Sequence, residues 1–276
     1  MAWHARLELA LTREGGRTVA RHSHEGPLRI LQTLYPEGDA IAHNVLVHPP
    51  SGLVGGDTLD VAVHVGANAH GFVTTPGAAR FYRSDGEAAM QDTHIALDAG
   101  ARLEWLPLEA LCYSGCIGEN HCVIDLAPGA EMIGWDITAL GLPASQQPFV
   151  QGSFVQHLEL RGHWLERGRI EAGDARLLDG PLGLAGRRCI ATLYFACGSP
   201  IERERRERAL DLANDAIAAC KGTVIAGATA PGPNVIVVRA LSDVVEPSMQ
   251  LLQAVHAAWR PALWDLAPVT SRLWAL

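Results

Sequence analysis

Three times between residues 59 and 135 one unit recurs: an alternating apolar strand, a turn closing on Gly-Ala, and a second apolar run. The strands are 59–65, 93–97 and 122–126. The turns are Gly66-Ala67, Gly100-Ala101 and Gly129-Ala130, and the runs are 72–73, 103–106 and 132–135. Period-two alternation gives each strand one buried face. The Gly-Ala pairs lie 34 and 29 residues apart, so the loops between units differ in length. A unit that cannot bury its own apolar face must stack on its neighbours, which predicts strand layers in a solenoid-like or sandwich scaffold. A duplicated hairpin in a sandwich yields the same pattern, and both readings stand.

The flanks extend the β-rich body. Residues 3–11 alternate and return as 18–23 through Gly15-Gly16, and 42–47 form another strand. Residues 151–160 and 163–171 read as a hairpin about Gly162, and 188–196 as a buried strand. At Ser199 the character changes. Ser199-Pro200-Ile201-Glu202 offers a capping serine, a proline at the first helical position and a glutamate three after the cap. That helix is expected to run to Lys221, with Gly222 as its stop. Strands at 223–228 and 234–241 follow, and a second helix from Pro247 turns Leu251, Leu252, Val255 and Trp259 inward. The expected fold is mainly β: stacked β-strand layers, β-helix or solenoid-like, with about two helices in the C-terminal part. No polar linker separates the body (1–198) from the α-β-β-α part (199–276), so 1–276 reads as a single domain whose C-terminal part is not independent.

Bulk properties exclude several functions. A net charge of −8 argues against nucleic acid or anionic membrane as a partner. No apolar run approaches the ~18 residues that span a bilayer, and the start lacks a secretory signal. The six scattered cysteines read as reduced thiols, which makes the cytoplasm the expected location. Neither Gly-x-Ser-x-Gly nor His-Glu-x-x-His occurs. The loop 48–57 is rich in glycine, but Asp57-Thr58 stands where a phosphate loop needs Lys-Ser or Lys-Thr. Cys112, Cys116, His121 and Cys122 offer soft donors for a divalent ion, while the same thiols suit a β core as small apolar residues. Glu104, Glu109 and Asp136 sit inside apolar runs. If they face inward they must be paired or hydrated, and a row of them would line a polar channel for a hard or borderline cation, with Arg80 and Arg83 to neutralise them.

Taken together and in order, these stretches resemble the urease accessory protein UreD (UreH) family. The resemblance rests on residues 50–57 (Gly52, Gly55, Gly56, Asp57), 74–84 (Thr75, Pro76, Gly77, Arg80, Tyr82, Arg83), 103–107 (Trp105, Pro107), 134–136, 141–145, 238–241 (Arg239) and Arg272-Leu273-Trp274. It covers nearly the whole chain. Ser51 stands where the family often has glycine, Arg80 replaces a usual lysine, Leu142 a common arginine and Ser271 a proline. The cysteine cluster is not part of the family pattern. The resemblance implies a non-catalytic assembly factor with a β-helix-like stack that binds apo-urease and a UreF-like protein. A UreG-like GTPase would join them, and the complex would promote nickel insertion and lysine carbamylation. It implies no tightly held cofactor, with Ni2+ only in transit through an internal passage. Glu104, Glu109 and Asp136 are the passage candidates, with Asp57 at the mouth. Two rivals remain at this level: a β module that binds carbohydrate or protein without metal, and a hydrolase using Glu104 and Asp136 as an acid/base pair. The 48% apolar content adds an expectation of exposed apolar surface that a partner covers.

Overall fold

The structure, a computed structural model, describes residues 2–220 and 222–275. Two hairpins open the chain, β1 (His4–Glu14) with β2 (Arg17–Glu25) and β3 (Arg29–Leu34) with β4 (Ile41–Val47). Three coils follow, each a short strand and two longer ones: β5 (Gly52–Leu53), β6 (Thr58–Val65), β7 (His70–Thr74); β8 (Ala79–Phe81), β9 (Ala89–Leu97), β10 (Arg102–Leu106); β11 (Ala110–Cys112), β12 (Ile117–Leu126), β13 (Glu131–Leu142). Coil stacks on coil through parallel pairing. β1, β6, β9, β12 and β15 (Ser153–Leu160) make one ladder, and β4, β7, β10 and β13 another. The mainly β, solenoid reading of the sequence therefore holds, with about four turns. β14 (Gln147–Pro148) folds back on β13, and β16 (Trp164–Glu171) ends the first sheet. Beyond the short helix α1 (Ala175–Asp179), the second sheet continues antiparallel through β17 (Cys189–Cys197), β19 (Val235–Ser242) and β18 (Ile225–Gly232). Helices α2 (Arg203–Ala219) and α3 (Val245–Trp264) cover its outer face.

The corners explain the sequence repeat and correct its register. Each is a four-residue turn closed by a hydrogen bond: Ala69 N–H to Gly66, Ala101 N–H to Asp98, Ala130 N–H to Ala127, all 3.0 Å. The third residue is left-handed, at φ +58° for Asn68, +70° for Gly100 and +78° for Gly129. The fourth is a buried alanine in each coil. So the first coil's equivalent of Gly-Ala is Asn68-Ala69, not Gly66-Ala67. Asparagine tolerates the left-handed region better than other residues with a Cβ, which lets it stand in for glycine.

The second sheet is buried on both faces. One face meets the first sheet through Val73, Leu103, Trp105 and Met132; the other meets α2 and α3 through Phe72, Leu106, Ile133, Trp135, Phe195 and Trp259. Strands buried twice lose the alternation that marks a half-exposed strand. The helix α3 turns Leu251, Leu252, Val255 and Trp259 fully inward, as its spacing predicts. The start of α2 differs from expectation. Ser199 does not cap it; Ser199 Oγ accepts from Gly129 N–H (3.1 Å), and Ile201 N–H donates to Pro233 O (2.8 Å). Residues 199–201 thus tie the chain to the solenoid corner, and the helix begins at Arg203. Its expected end at Lys221 lies outside the described residues. With α1 there are three helices among the described residues, and none is long and apolar enough to cross a membrane.

Candidate functional site

The loop 48–57 and the stretch 81–87 are one packed unit. A Cβ on Gly52 would stand 2.1 Å from the Tyr82 ring, and one on Gly55 would stand 2.1 Å from Ser84 Oγ and 2.7 Å from the Glu87 carbonyl. Gly56 adopts φ +88°. Glycine is required here because one family motif lies directly on the other. Arg83 packs over Gly115 in the next coil. Asp57 is buried, and both its oxygens are engaged: Oδ1 accepts from Trp3 N–H (2.7 Å), Oδ2 from Val54 N–H (2.9 Å). It is a staple inside the turn and not the mouth of a channel, which corrects the expectation. Asp57→Ala would leave two backbone donors unpaired, so a loss of about 1–3 kcal/mol in denaturant unfolding is expected, with a smaller loss for Asp57→Asn.

Between the two sheets lies a cavity of about 370 Å³. Pro49, Ser51, Pro76 and Gly77 form its exposed rim, and Leu53, Val61, Phe81 and Trp105 its apolar wall. Thr75, Arg80 and Pro107 also line it. Its polar end holds Gln91, Thr93, Asn120 and Asp136. Asn120 Nδ2 donates to Asp136 Oδ2 at 2.9 Å, and Thr138 Oγ1 donates to Oδ1 at 3.5 Å. Burial pushes the Asp136 carboxyl up to about 6; Gln156 opposes the shift and the Glu166 charge adds to it. Glu166 lies behind, held by Arg239 Nε (2.9 Å) and by Thr192 Oγ1 (3.4 Å). Gln156 Nε2 and Tyr194 O–H are buried with no partner among the described residues. A carboxyl that titrates near pH 6, ringed by amides, can trade its proton for a cation close to neutrality.

Glu104 belongs elsewhere. The β10–β13 register pairs Glu104 with Ile133 and Trp105 with Gly134, so alternation sends Glu104 and Asp136 to opposite faces of the sheet. Glu104 is fully buried beneath α3. Its Oε2 accepts from His256 Nε2 at 2.6 Å, and its Oε1 accepts from Arg260 Nη2 at 3.2 Å with His70 Nε2 3.3 Å away. Arg260, itself fully buried, reaches on to Glu37 (2.9 and 3.0 Å), and His43 meets Glu37 at 2.8 Å. Burial favours the protonated Glu104, but the His256 and His70 hydrogen bonds and the Arg260 charge outweigh it and hold the carboxyl well below the usual range. Glu109 is half-buried near Glu246 and Arg80, with its carboxyl raised by burial first and by Glu246 second. It does not line the cavity. The predicted row of acids is thus not a row, and Glu104 with Asp136 cannot act as an acid/base pair across a cleft. Trp105 and Trp135 likewise take opposite faces, and Trp135 donates to the Pro107 carbonyl (2.6 Å).

The soft-donor cluster does not converge either. Along β12, Asn120 and Cys122 are buried while Glu119 and His121 stand half-exposed on the outer face, 3.4 Å from each other. Cys112 and Cys116 are buried beside one another, and Cys116 Sγ donates to Ser153 O (3.8 Å). Burial raises the Cys112 and Cys122 thiols, away from the thiolate a metal needs. Among the described residues no three His, Cys, Asp or Glu side chains are gathered to hold a metal. Arg272 lies exposed in the final turn, Arg272–Ala275. What sequence reasoning missed is the amide floor of the cavity and the buried histidine–arginine network. Gln91 and Asn120 at inward positions of β9 and β12 were the available signal for the floor.

Comparison with known proteins follows the same residues. A profile of the family described as UreD urease accessory protein matches residues 4–275. The chain is 61% identical to the urease accessory protein UreD of Paracidovorax citrulli (strain AAC00-1) and 60% identical to that of Polaromonas sp. (strain JS666 / ATCC BAA-500), each across the full length of both chains. It is 49% identical to the UreD of Leptothrix cholodnii (strain ATCC 51168 / LMG 8142 / SP-6) over 99% of both. With the profile covering nearly every residue and full-length relatives at such identity, the chain belongs to the UreD urease accessory protein family.

Proposed function

We propose that this chain is a non-catalytic scaffold of urease maturation, and that its cavity is a stretch of the route by which Ni2+ reaches apo-urease. UreF-like and UreG-like proteins are the partners expected from the resemblance, and the cytoplasm the place. The observation that carries the reading is convergence. Thr75, Pro76, Gly77, Arg80, Trp105 and Pro107, drawn from separate family motifs, meet Asp136 around one cavity that opens at an exposed rim. Such a space suits transit better than storage. Asp136 brings one carboxylate among neutral amides, enough to lodge a cation after losing its proton and too few ligands to trap it. Glu166 offers the next carboxylate, presently shared with Arg239.

The test is co-expression with the urease structural and accessory proteins, using Asp136→Ala and Asp136→Asn. The expected result is unchanged co-purification of the partners with nickel per urease active site down about tenfold or more, the scale on which losing a metal-site carboxylate acts. Wild-type nickel content in both variants would remove the cavity from the route. Loss of co-purification would instead make Asp136 an assembly residue.

A further inference from the structure

We propose that His48 is the nitrogen ligand at the mouth of the cavity, the side chain that takes a borderline divalent cation such as Ni2+ before Asp136 does. The inference rests on the passage reading and adds a residue which that reading does not use. His48 follows β4 at the start of the loop 48–57, and it lines the cavity beside the rim residues Pro49 and Ser51. It is the only imidazole among the described residues that line this space. The backbone there is well determined. Pro49 confines His48 to extended dihedrals, and Ser51 N–H closes the turn on the His48 carbonyl at 2.8 Å.

The buried histidines elsewhere each meet a carboxylate: His43 lies 2.8 Å from Glu37, and His70 and His256 lie 3.3 and 2.6 Å from Glu104. His48 has no such neighbour. Its Nε2 is buried and without a hydrogen-bond partner among the described residues. A ring nitrogen cut off from water and unmet by protein is unfavourable, and a bound cation offsets that loss. Burial pushes the imidazole down from its ordinary value, and the Asp57 charge opposes this only in part. The ring is therefore neutral near pH 7, the form that binds metal without first releasing a proton. Other lining groups are poorer ligands. Burial raises the Cys122 thiol away from the thiolate, and the Arg80 charge repels a cation. The chemistry also sets which cation enters. Imidazole suits Ni2+ and its transition-metal neighbours, whereas carboxylate and carbonyl oxygens suit Mg2+ and Ca2+. His48 thus gives the cavity a preference that Asp136 among neutral amides lacks, and two ligands still release what they hold.

The experiment uses the full-length chain co-purified with its UreF-like partner. Ni2+ affinity is measured by competition with a coloured chelator, and nickel per urease active site after co-expression. His48→Phe keeps a ring without nitrogen, while His48→Cys keeps a soft ligand in less space. His48→Phe is expected to weaken Ni2+ binding about tenfold or more and to lower nickel loading, with His48→Cys retaining more of both. A packing role would give the reverse order, so His48→Phe performing as well as or better than His48→Cys overturns the proposal. Wild-type Ni2+ affinity in His48→Phe does the same, as does the absence of measurable Ni2+ binding by the unmodified chain. Asp136→Asn run alongside separates the two readings. Lowered loading in Asp136→Asn with normal loading in His48→Phe would sink the imidazole site and leave the passage standing. Normal loading in both would sink both.

Discussion

Glu104→Ala is expected to cost about 3–5 kcal/mol, the amount typical when one member of a buried ion network is deleted. The reason lies in what stays behind. Arg260 and His256 are fully exposed to a medium with no water once the carboxylate leaves, since both are wholly buried under α3. Arg260 keeps Glu37, but His256 Nε2 loses its only partner while Nδ1 already has none among the described residues. Glu104→Gln, which keeps the shape and one acceptor, should lose less. The pH dependence has a definite sign. The Glu104 carboxyl is held below the ordinary glutamate value of 4.5, and Glu37 is lowered as well. Their stabilisation is therefore complete above that value and is withdrawn as pH falls below it toward the folded-state value. Denaturant midpoints between pH 3 and 7 should show that acid-side loss in the unmodified chain and a shallower one in Glu104→Gln. A change under about 1 kcal/mol for Glu104→Ala would mean the network does not hold α3 to the sheet.

Gly134→Ala should also be damaging, for a steric reason alone. A Cβ at this position would stand 2.3 Å from the Tyr194 hydroxyl oxygen and 2.4 Å from its Cζ. Gly134 lies in β13 between Trp105 of β10 and Tyr194 of β17, and Tyr194 is buried at 1% exposure. Overpacking of this kind costs about 1–3 kcal/mol, more when the neighbour is rigid. Tyr194→Leu should relieve it: the double variant is expected to lose less than the two single losses added together. Strict additivity in thermal or denaturant unfolding would show that the clash is absorbed elsewhere. Gly134 thus belongs to its motif for packing, while Asp136 two residues on belongs to the cavity.

Much of the scaffold was legible one residue at a time. The period-two pattern of 59–65 and 93–97, the Gly-Ala corners at 100–101 and 129–130, and the apolar stripe of α3 all follow from local chemistry, and each appears where the residues require it. Local reading failed where a residue had two equally good uses. Ser199 could cap a helix or bind a distant amide, and only the Gly129 corner, 70 residues away, decided between them. Asn68 concealed the first corner because it does glycine's work with a side chain.

Determined by the amino-acid sequence alone were the β-rich class and its repeated strand-turn-strand units, since alternation, turn chemistry and apolar content are properties of short segments. The tertiary structure alone decided what those residues face. Glu104 and Asp136 look alike in sequence, each an acid among bulky apolar neighbours, because a sheet buried on both sides carries apolar residues at every position. Strand register then sends one to an arginine–histidine network under a helix and the other to a cavity, and register is set by pairing between segments that neither strand encodes by itself.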